Sequence, residues 1–246
     1  MPIPIQAHFV AAGRFHDIDF ARLELLKLLA EHPHVRTSVA MDFGDIGRLA
    51  DCAFLVTYTC DIIPSVEETE ALRAFLQRGG RWLALHGTNS ILRVAEDGLV
   101  TTPDIAPEFM ALLGTQFQSH PPIGAFKVEV VDPNHPLTRG LGSFKIIDEL
   151  YLTGPRAEIE PLLVTRFEGE TPGFDPARWP QTLVPIQYLR RVGNGAVLYN
   201  TLGHCRGHYD LVPVSGFWPH PDRCAWNYPI YYELLRRGLL WAIGQL

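Results

Sequence analysis

Four histidines in this chain of 246 residues follow apolar runs that have the length of a strand. His16 comes after "IQAHFVAAG", His86 ends "RWLALH", His120 ends "GTQFQSH" and His204 follows "AVLYNTLG". In open α/β sheets, the carboxyl ends of parallel strands lie at one edge, and ligands bind there. Any one of these histidines alone is more typical of a core or capping residue. Together they predict that His86, His120 and His204 approach one another at this edge, with His16 on its rim.

Imidazole can carry a proton or bind a metal ion near neutral pH, so such a cluster is suited to acid–base or metal-assisted chemistry. Two neighbouring carboxylates, Asp148 and Glu149 in "IIDELYLTG", could join it. They are either solvated acids at the start of an element, or one of them points into the histidine cluster. In that place a carboxylate acts as a general base, a metal ligand or a group that orients an imidazole.

The first half of the chain alternates strand and helix patterns, which position these side chains. Apolar runs predict strands at 5–13, 35–41, 52–59 and 81–87. Helices are predicted at 17–31, with Asp17 as its N-cap, and at 66–77, with Ser65 and Glu68 forming a capping box. This alternation is typical of a parallel sheet covered by helices. We expect the strands 6–12, 52–58, 81–86 and 196–201 to be neighbours or near-neighbours in it.

The second half of the chain has a looser pattern. A helix is predicted at 107–117 and another after Pro229. The remaining strand predictions are 125–132, 161–168, 182–190 and 195–204. The segment 169–181 has no periodicity and is interpreted as an ordered surface loop. The segment 205–228 holds several prolines and aromatic residues and is interpreted as a lid over a site.

Composition limits the class of protein. The net charge of −6 and a pI near 5.9 argue against general affinity for nucleic acid or for an anionic membrane. The hydrophobic content of 47% allows a large core, and no apolar window is long enough for a membrane span. The beginning of the chain lacks the charged leader of a signal peptide. We therefore expect one domain over 1–246, a cytoplasmic location and no membrane or nucleic-acid partner.

Several stretches together resemble the ThuA-like (trehalose-utilisation) family. They are "RGGRWLALHG", "GTQFQSHPP", "VEVVDPNHPLTRGLGSFKIIDELY" and "GNGAVLYNTLGH", in that order. "GRFHD" is similar to the first His-Asp turn of the family, and the pattern Asp-Glu-x-Tyr fits Asp148, Glu149 and Tyr151. The resemblance implies an α/β fold of the flavodoxin-like, class I glutamine amidotransferase-like type: a three-layer sandwich with a mainly parallel sheet.

The resemblance also implies a role in carbohydrate utilisation, on a sugar, a keto-sugar or a glycoside. In amidotransferase relatives the turn after the corresponding strand carries a nucleophilic cysteine. Here it carries His86, so glutaminase chemistry is excluded at this position. We expect an enzyme, an isomerase, lyase or hydrolase, whose small-molecule partner is a carbohydrate. The oligomeric state stays open, a homo-oligomer included.

Each site residue receives an expected role. The catalytic residues are His86, Glu149 and His204. The residues expected to bind substrate are His16, Asp17, Tyr151 and Trp218, the last by stacking on a sugar ring. A divalent metal, zinc or manganese, is the candidate cofactor, with His86, His120 and His204 as its ligands. Since Glu149 is expected to face the cleft, Glu149→Gln should abolish turnover and Asp148→Asn should do much less.

Two other functions remain open on the sequence. One is a sugar-binding or regulatory module that performs no chemistry, which the absence of a stoichiometric metal would favour. The other is a cysteine hydrolase with Cys60 or Cys205 as nucleophile. It ranks last, because neither thiol occupies the strand–turn–helix position that activates such a nucleophile.

Overall fold

The computed structural model describes residues 3–207 and 221–246, and these ranges contain thirteen strands and four helices. The helices are Ile18–Ala30 (α1), Val66–Gln77 (α2), Pro107–Leu113 (α3) and Pro229–Ile243 (α4). The strands are Ile5–Gly13 (β1), Val35–Ala40 (β2), Phe54–Cys60 (β3), Arg81–Leu85 (β4), Arg93–Val94 (β5), Val100–Thr101 (β6), Thr115–Ser119 (β7), Gly124–Val130 (β8), Phe144–Asp148 (β9), Leu152–Pro155 (β10), Glu160–Glu170 (β11), Arg178–Val192 (β12) and Gly195–Asn200 (β13). Short 3-10 turns lie at Ile46–Ala50, His86–Asn89 and Cys224–Asn227.

Nine of the strands form one sheet in the order β2-β1-β3-β4-β13-β12-β11-β8-β9. The first five are parallel to one another, and the last four continue the sheet in antiparallel pairing. The prediction that β1, β3, β4 and β13 are neighbours is confirmed. All seven residues of β3 are buried, which explains its uninterrupted apolar run, because a central parallel strand is covered on both faces.

Helices cover both faces of the sheet and make three layers. Alternate residues of β1 face opposite layers: Phe9 and Ala11 pack in the cluster that contains α1 and α4, and Val10 packs in the cluster that contains α2 and α3. The predicted flavodoxin-like sandwich is therefore confirmed, with a sheet that is parallel in its first part and mixed as a whole. None of the helices in the described ranges is long and apolar enough to cross a membrane.

The predicted helix caps are present. The Asp17 carboxylate accepts a hydrogen bond from the backbone N–H of Phe20 at 3.1 Å, so α1 begins directly after it. Ser65 and Glu68 form the reciprocal capping box of α2. Both caps satisfy N–H groups that have no partner inside the helix, which fixes where each helix starts.

Two predictions in the second half were wrong. The helix predicted at 107–117 ends at Leu113, because Gly114 adopts a left-handed conformation (φ 92°), and the next residues form β7. The segment 169–181 is not a loop throughout: β11 extends to Glu170, and β12 begins at Arg178. This antiparallel arm is stabilised through its backbone while many of its side chains are exposed, so its sequence lacks a clear period. Of the segment interpreted as a lid, residues 208–220 lie outside the described residues.

Candidate active site

The turns that follow the parallel strands meet at one edge of the sheet. The registers Gly13↔Cys60 and Leu85↔Asn200 show that β1 and β3, and likewise β4 and β13, end at the same level. Asp61 and His86 follow β3 and β4 directly, Phe15 is the second residue after β1, and the three adopt positive φ angles of 58°, 44° and 68°. Such left-handed residues reverse the chain sharply, which directs side chains back over the edge.

His86 is held in one orientation by its surroundings. Its Nδ1 lies 2.8 Å from the carbonyl oxygen of Thr201, and the side chain is fully buried. The Tyr199 hydroxyl donates to the His86 carbonyl and accepts from the N–H of Asn89, which fixes the turn itself. Because a carbonyl only accepts, Nδ1 carries the proton of a neutral ring, and Nε2 has a free lone pair.

His16 presents the same lone pair to His86. Its Nδ1 faces the carbonyl of Arg14 at 3.2 Å, and its Nε2 lies 2.9 Å from Nε2 of His86. Burial lowers the pKa of His86 to about 3 and, with the neighbouring imidazoles, holds the pKa of His16 well below its usual value. Both rings are therefore neutral at neutral pH, and the lone pairs of the two Nε2 atoms point at each other. A cation bound between these atoms would relieve their repulsion.

Glu149 and His204 complete this group. Glu149 Oε2 lies 3.2 Å from His204 Nδ1 and 3.7 Å from His86 Nε2. Within the described ranges, His204 Nε2 is buried without a hydrogen-bond partner. Burial alone would raise the pKa of Glu149, but His120 and His204 outweigh it and hold this pKa well below its usual value. The site thus offers an ionised carboxylate beside the neutral imidazoles of His16 and His86, the ionic states that a metal requires.

One donor atom each from His16, His86, Glu149 and His204 lies within 4.8 Å of the others. The predicted approach of His86 and His204 is present in the structure, whereas His120 is not one of these four residues, and the catalytic and metal-binding roles stay predictions. His16 is 3% exposed and lies inside the group rather than on its rim. The reason is local: Phe15 is left-handed, and the N–H of Asp17 donates to the carbonyl of Cys205, which brings the β1 turn over the edge.

His120 stands beside this group of four. Its Nε2 lies 3.2 Å from Glu149 Oε1, and its Nδ1 lies 2.7 Å from the carbonyl of Pro121. Its side chain is 23% exposed, whereas those of His86 and His204 are fully buried. The structure therefore brings His86 and His204 of the predicted ligand set into one group of donor atoms and places His120 between that group and the cavity.

Asp148 has different partners from Glu149. Its carboxylate accepts hydrogen bonds from the backbone N–H groups of Gly203 at 2.7 Å, His204 at 3.1 Å and Glu149 at 2.9 Å. Burial raises its pKa to about 7, although the N–H donors of Gly203 and Glu149 oppose this shift. Neither carboxylate is a solvated acid. Asp148 fixes the turn that carries His204, and Glu149 faces the histidines, as the sequence pattern predicted.

The remaining predicted site residues fall in different places. Tyr151 lines the cavity beside the histidines, with its ring 4.3 Å from that of His86. Asp17 is not among the cavity-lining residues that the structure describes; it caps α1 and pairs with Arg223 at 2.9 Å. Trp218 lies outside the described residues.

We call His16, His86, Glu149 and His204 the histidine–glutamate group. A cavity of about 590 Å³ opens beside it. This volume falls within the range of small-molecule sites. Its lining residues are Arg14, Phe15, His16, Cys60, Asp61, Leu92, Arg93, Val94, Val100, Phe117, His120, Glu149, Tyr151, Phe174 and Arg206.

Arg206 lies 3.7 Å from Glu149 Oε1 and was not predicted as a site residue. Its position two residues after His204, in the same turn, could have indicated that Arg206 belongs to the site. Asp61 was also missed, although it follows β3 as His86 follows β4. Its buried carboxylate lies 3.5 Å from Arg14 and 3.1 Å from Arg93 at the cavity.

The cysteine-hydrolase alternative gains no support. Burial raises the pKa of Cys60 well above its usual value and that of Cys205 to about 12. A thiol is a nucleophile only as its thiolate, so both are inert at neutral pH. Cys205 is moreover absent from the cavity lining described above.

Comparisons with known proteins agree with this architecture. The model of the ThuA family, described as trehalose utilisation, matches residues 10–214. A ThuA-like protein from Parabacteroides merdae is similar with a TM-score of 0.68 at 17% identity, over 99% of this chain and 91% of that one. A ThuA-like protein from Bacteroides uniformis gives 0.65 at 18% identity, over 100% and 94%.

More distant similarity extends to part of a larger enzyme. The β-galactosidase from Bacillus circulans gives a TM-score of 0.53 at 12% identity, over 98% of this chain and 31% of that one. At such identities the likeness to solved structures concerns the fold alone. The comparison with curated proteins gives no match.

Proposed function

Since the chain belongs to the ThuA (trehalose utilisation) family, we propose that it is an enzyme of carbohydrate utilisation that acts on a keto-sugar or glycoside by metal-assisted acid–base chemistry. The family supports the carbohydrate role, and the site supports the chemistry. Glutaminase and cysteine-hydrolase chemistry have no suitable nucleophile here, as described above.

One observation carries the proposal. The Nε2 atoms of His16 and His86 lie 2.9 Å apart, and each ring has its Nδ1 against a carbonyl oxygen. Metal-bound histidines are typically oriented in this way, by donation of the other ring N–H to a backbone or carboxylate oxygen. A donor atom of Glu149 and one of His204 are directed into the same space. His204 Nε2 is buried without a hydrogen-bond partner in the described ranges, which costs free energy unless a ligand pairs with it.

His16, His86, Glu149 and His204 would hold the metal. A set of imidazoles with one carboxylate suits zinc or manganese. A divalent ion held by these residues would supply Lewis-acid chemistry, polarising a substrate carbonyl group so that the neighbouring C–H bond would become more acidic.

The protein's own groups would move the proton. His120 Nε2 lies 3.2 Å from Glu149 Oε1, and His120 is the more exposed of the two toward the cavity. Proton removal from the carbon beside the carbonyl leaves the electron pair as an enolate. Return of the proton to the former carbonyl carbon, with transfer of the hydroxyl proton of the first carbon to the old carbonyl oxygen, gives an isomer. Departure of a substituent from the next carbon with its bonding electron pair gives elimination instead. Arg206, 3.7 Å from the same Glu149 oxygen, would hold that carboxylate in place.

Metal content and hydrogen exchange test this function. The purified protein is stripped with a chelator, reloaded with zinc or manganese, and assayed for metal by elemental analysis. A panel of ketoses and keto-glycosides is then incubated with it in D₂O, and proton NMR follows exchange of the C–H beside the carbonyl. We expect stoichiometric metal and exchange in at least one keto-sugar, with little or none in the stripped protein.

The variant Glu149→Gln keeps the shape of the side chain and removes its charge. We expect it to lose the exchange activity and most of the metal while it retains the wild-type fold. Glu170→Gln is the matched control, because Glu170 is exposed at the end of β11. Failure of the wild type to retain metal, or exchange by Glu149→Gln at the wild-type rate, would contradict the proposal. Sugar binding without exchange would favour a binding module instead.

A further inference from the structure

Part of the cavity has a purely apolar lining. Leu92, Val94, Val100, Phe117 and Phe174 form what we call the apolar wall. Their side chains offer no hydrogen-bond donor or acceptor to a ligand. Most of the remaining lining residues, including His16, His120, Glu149 and Arg206, are polar or charged, although Phe15 also lies there, so the cavity has two chemically different parts.

The apolar wall adjoins the histidines through aromatic contacts. The Tyr151 ring lies 4.3 Å from His86 and 4.4 Å from Phe117, measured between centroids. Phe174 lies 5.9 Å from Phe117 and 4.7 Å from His120. A ligand bound at the histidine–glutamate group would therefore reach the wall with its next substituent.

The wall is fixed by backbone contacts between three segments. Val100 donates its N–H to Gly173 at 2.8 Å and accepts from Asp175 at 3.1 Å, which ties β6 to the turn between β11 and β12. The N–H of Leu92 donates to the Asp61 carboxylate at 3.1 Å, which ties the segment before β5 to the end of β3. These contacts make the wall a preformed surface of the cavity.

From this division we propose that the apolar wall is a subsite for an apolar, preferably aromatic, aglycone, so that the preferred substrates are keto-glycosides of apolar alcohols or phenols. The inference rests on the proposed function, which places the sugar ring at the histidine–glutamate group. A second sugar ring, as in trehalose, would bring hydroxyl groups against Val100, Phe117 and Phe174, whose side chains replace water without offering a hydrogen-bond partner. An aromatic ring loses no hydrogen bonds there and buries its apolar surface.

Binding of simple glucosides to the zinc-loaded protein tests the inference. Isothermal titration calorimetry compares methyl glucoside, phenyl glucoside, each as the α and the β anomer, trehalose and phenol. We expect one phenyl glucoside to bind about tenfold or more tighter than its methyl counterpart and than trehalose, because the phenyl ring buries apolar surface on the wall. Phenol alone should bind more weakly than the phenyl glucoside.

The double variant Val94→Thr/Val100→Thr keeps the shape of two wall residues and adds a hydroxyl to each. We expect it to reduce the phenyl-to-methyl preference by about threefold or more, because each added hydroxyl makes the wall less apolar. Val131→Thr is the matched control, because Val131 is 52% exposed and does not line the cavity.

The outcomes separate this inference from the proposed function. If methyl glucoside binds and phenyl glucoside binds no tighter, the subsite is wrong and the function stands. An unchanged preference in the double variant would likewise place the phenyl ring elsewhere and overturn the subsite, as would phenol that binds as tightly as phenyl glucoside. If no glucoside binds and no keto-sugar exchanges, both fail together.

Discussion

Asp148 and Glu149 are neighbours in the chain, but their carboxylates have different surroundings. Asp148 accepts three backbone N–H groups, two of them from the Gly203–His204 turn. Glu149 lies among imidazoles, with Oε2 3.2 Å from His204 Nδ1. Alternation of side chains along an extended segment explains why adjacent residues point to opposite sides. Asp148 thus holds the turn that carries His204, and Glu149 is itself a member of the histidine–glutamate group.

Asp148→Asn should destabilise the protein. The amide can keep one acceptor oxygen but presents an NH₂ group to at least one backbone N–H, which loses its buried partner. A buried unsatisfied donor costs about 1–3 kcal/mol of unfolding free energy. Urea unfolding at pH 8, above the Asp148 pKa of about 7, measures this loss against the wild type.

Glu149→Gln is the comparison for that measurement. It removes no backbone hydrogen bond, but it removes the charge whose interactions with His120 and His204 hold the Glu149 pKa well below its usual value, so the metal-free variant should lose stability through charge alone. Equal stability of Asp148→Asn and wild type would show that the three N–H contacts do not hold the turn. The expectation from the sequence concerned turnover alone, since the Gly203 and His204 partners of Asp148 lie more than fifty residues away in the chain.

The histidines show what could be predicted at this scale. Each of His16, His86 and His204 follows a strand of the same polarity, so their convergence is a consequence of the parallel sheet. Their tautomers could not be predicted, because the carbonyl partners belong to turns whose conformation no periodic pattern encodes. The same limit applies to Arg206, whose position depends on the turn after β13.

At the scale of elements, the turn after β4 packs tightly against the end of β3. A Cβ atom built on Gly87 would lie 2.7 Å from the carbonyl oxygen of Thr59 and 2.8 Å from Cβ of Cys60. A glycine thus follows His86 because two strand ends approach each other closely there, which places His86 beside the β1 turn.

Gly87→Ala should therefore displace the turn that carries His86. Neighbours within 3 Å are backbone and Cβ atoms that cannot rotate away, and overpacking of this kind costs about 1–3 kcal/mol of unfolding free energy. We expect a lower melting temperature and a reduced metal content. Gly142→Ala is the control, because a Cβ there meets no atom within 4 Å. Wild-type metal content in Gly87→Ala would show that the turn tolerates the shift.

Elements with two buried faces were predictable, and exposed ones were not. The central strands β3 and β4 have continuous apolar runs because helices cover both sides. The loop prediction for 169–181 includes the ends of β11 and β12. Both faces of these strand ends meet solvent, so their paired backbones need no apolar side chains, and the sequence shows no strand pattern there. The arm formed by β11 and β12 carries Phe174 into the cavity, so the apolar wall was not visible in the sequence.

For the whole molecule, the buried histidines determine how stability depends on pH in the metal-free state. Below pH 6.5 the unfolded chain protonates His16 and His86, whereas the folded chain does not until far lower pH, about 3 for His86. The unfolded state then binds more protons, so unfolding free energy rises with pH in this window and falls on acidification. Asp148 acts in the opposite sense between its unfolded value of 3.8 and its folded value of about 7.

Two histidines outweigh one aspartate, so the metal-free protein should lose about 1 kcal/mol of unfolding free energy per pH unit between pH 6 and pH 4. Urea unfolding across this range measures the slope. His86→Asn should flatten it, because asparagine tolerates the left-handed conformation at φ 44° and does not titrate. Asp148→Asn should steepen it, since the opposing group is removed. If His86→Asn keeps the wild-type slope, the acid sensitivity arises elsewhere, and the neutral imidazole pair that supports the metal site is contradicted with it.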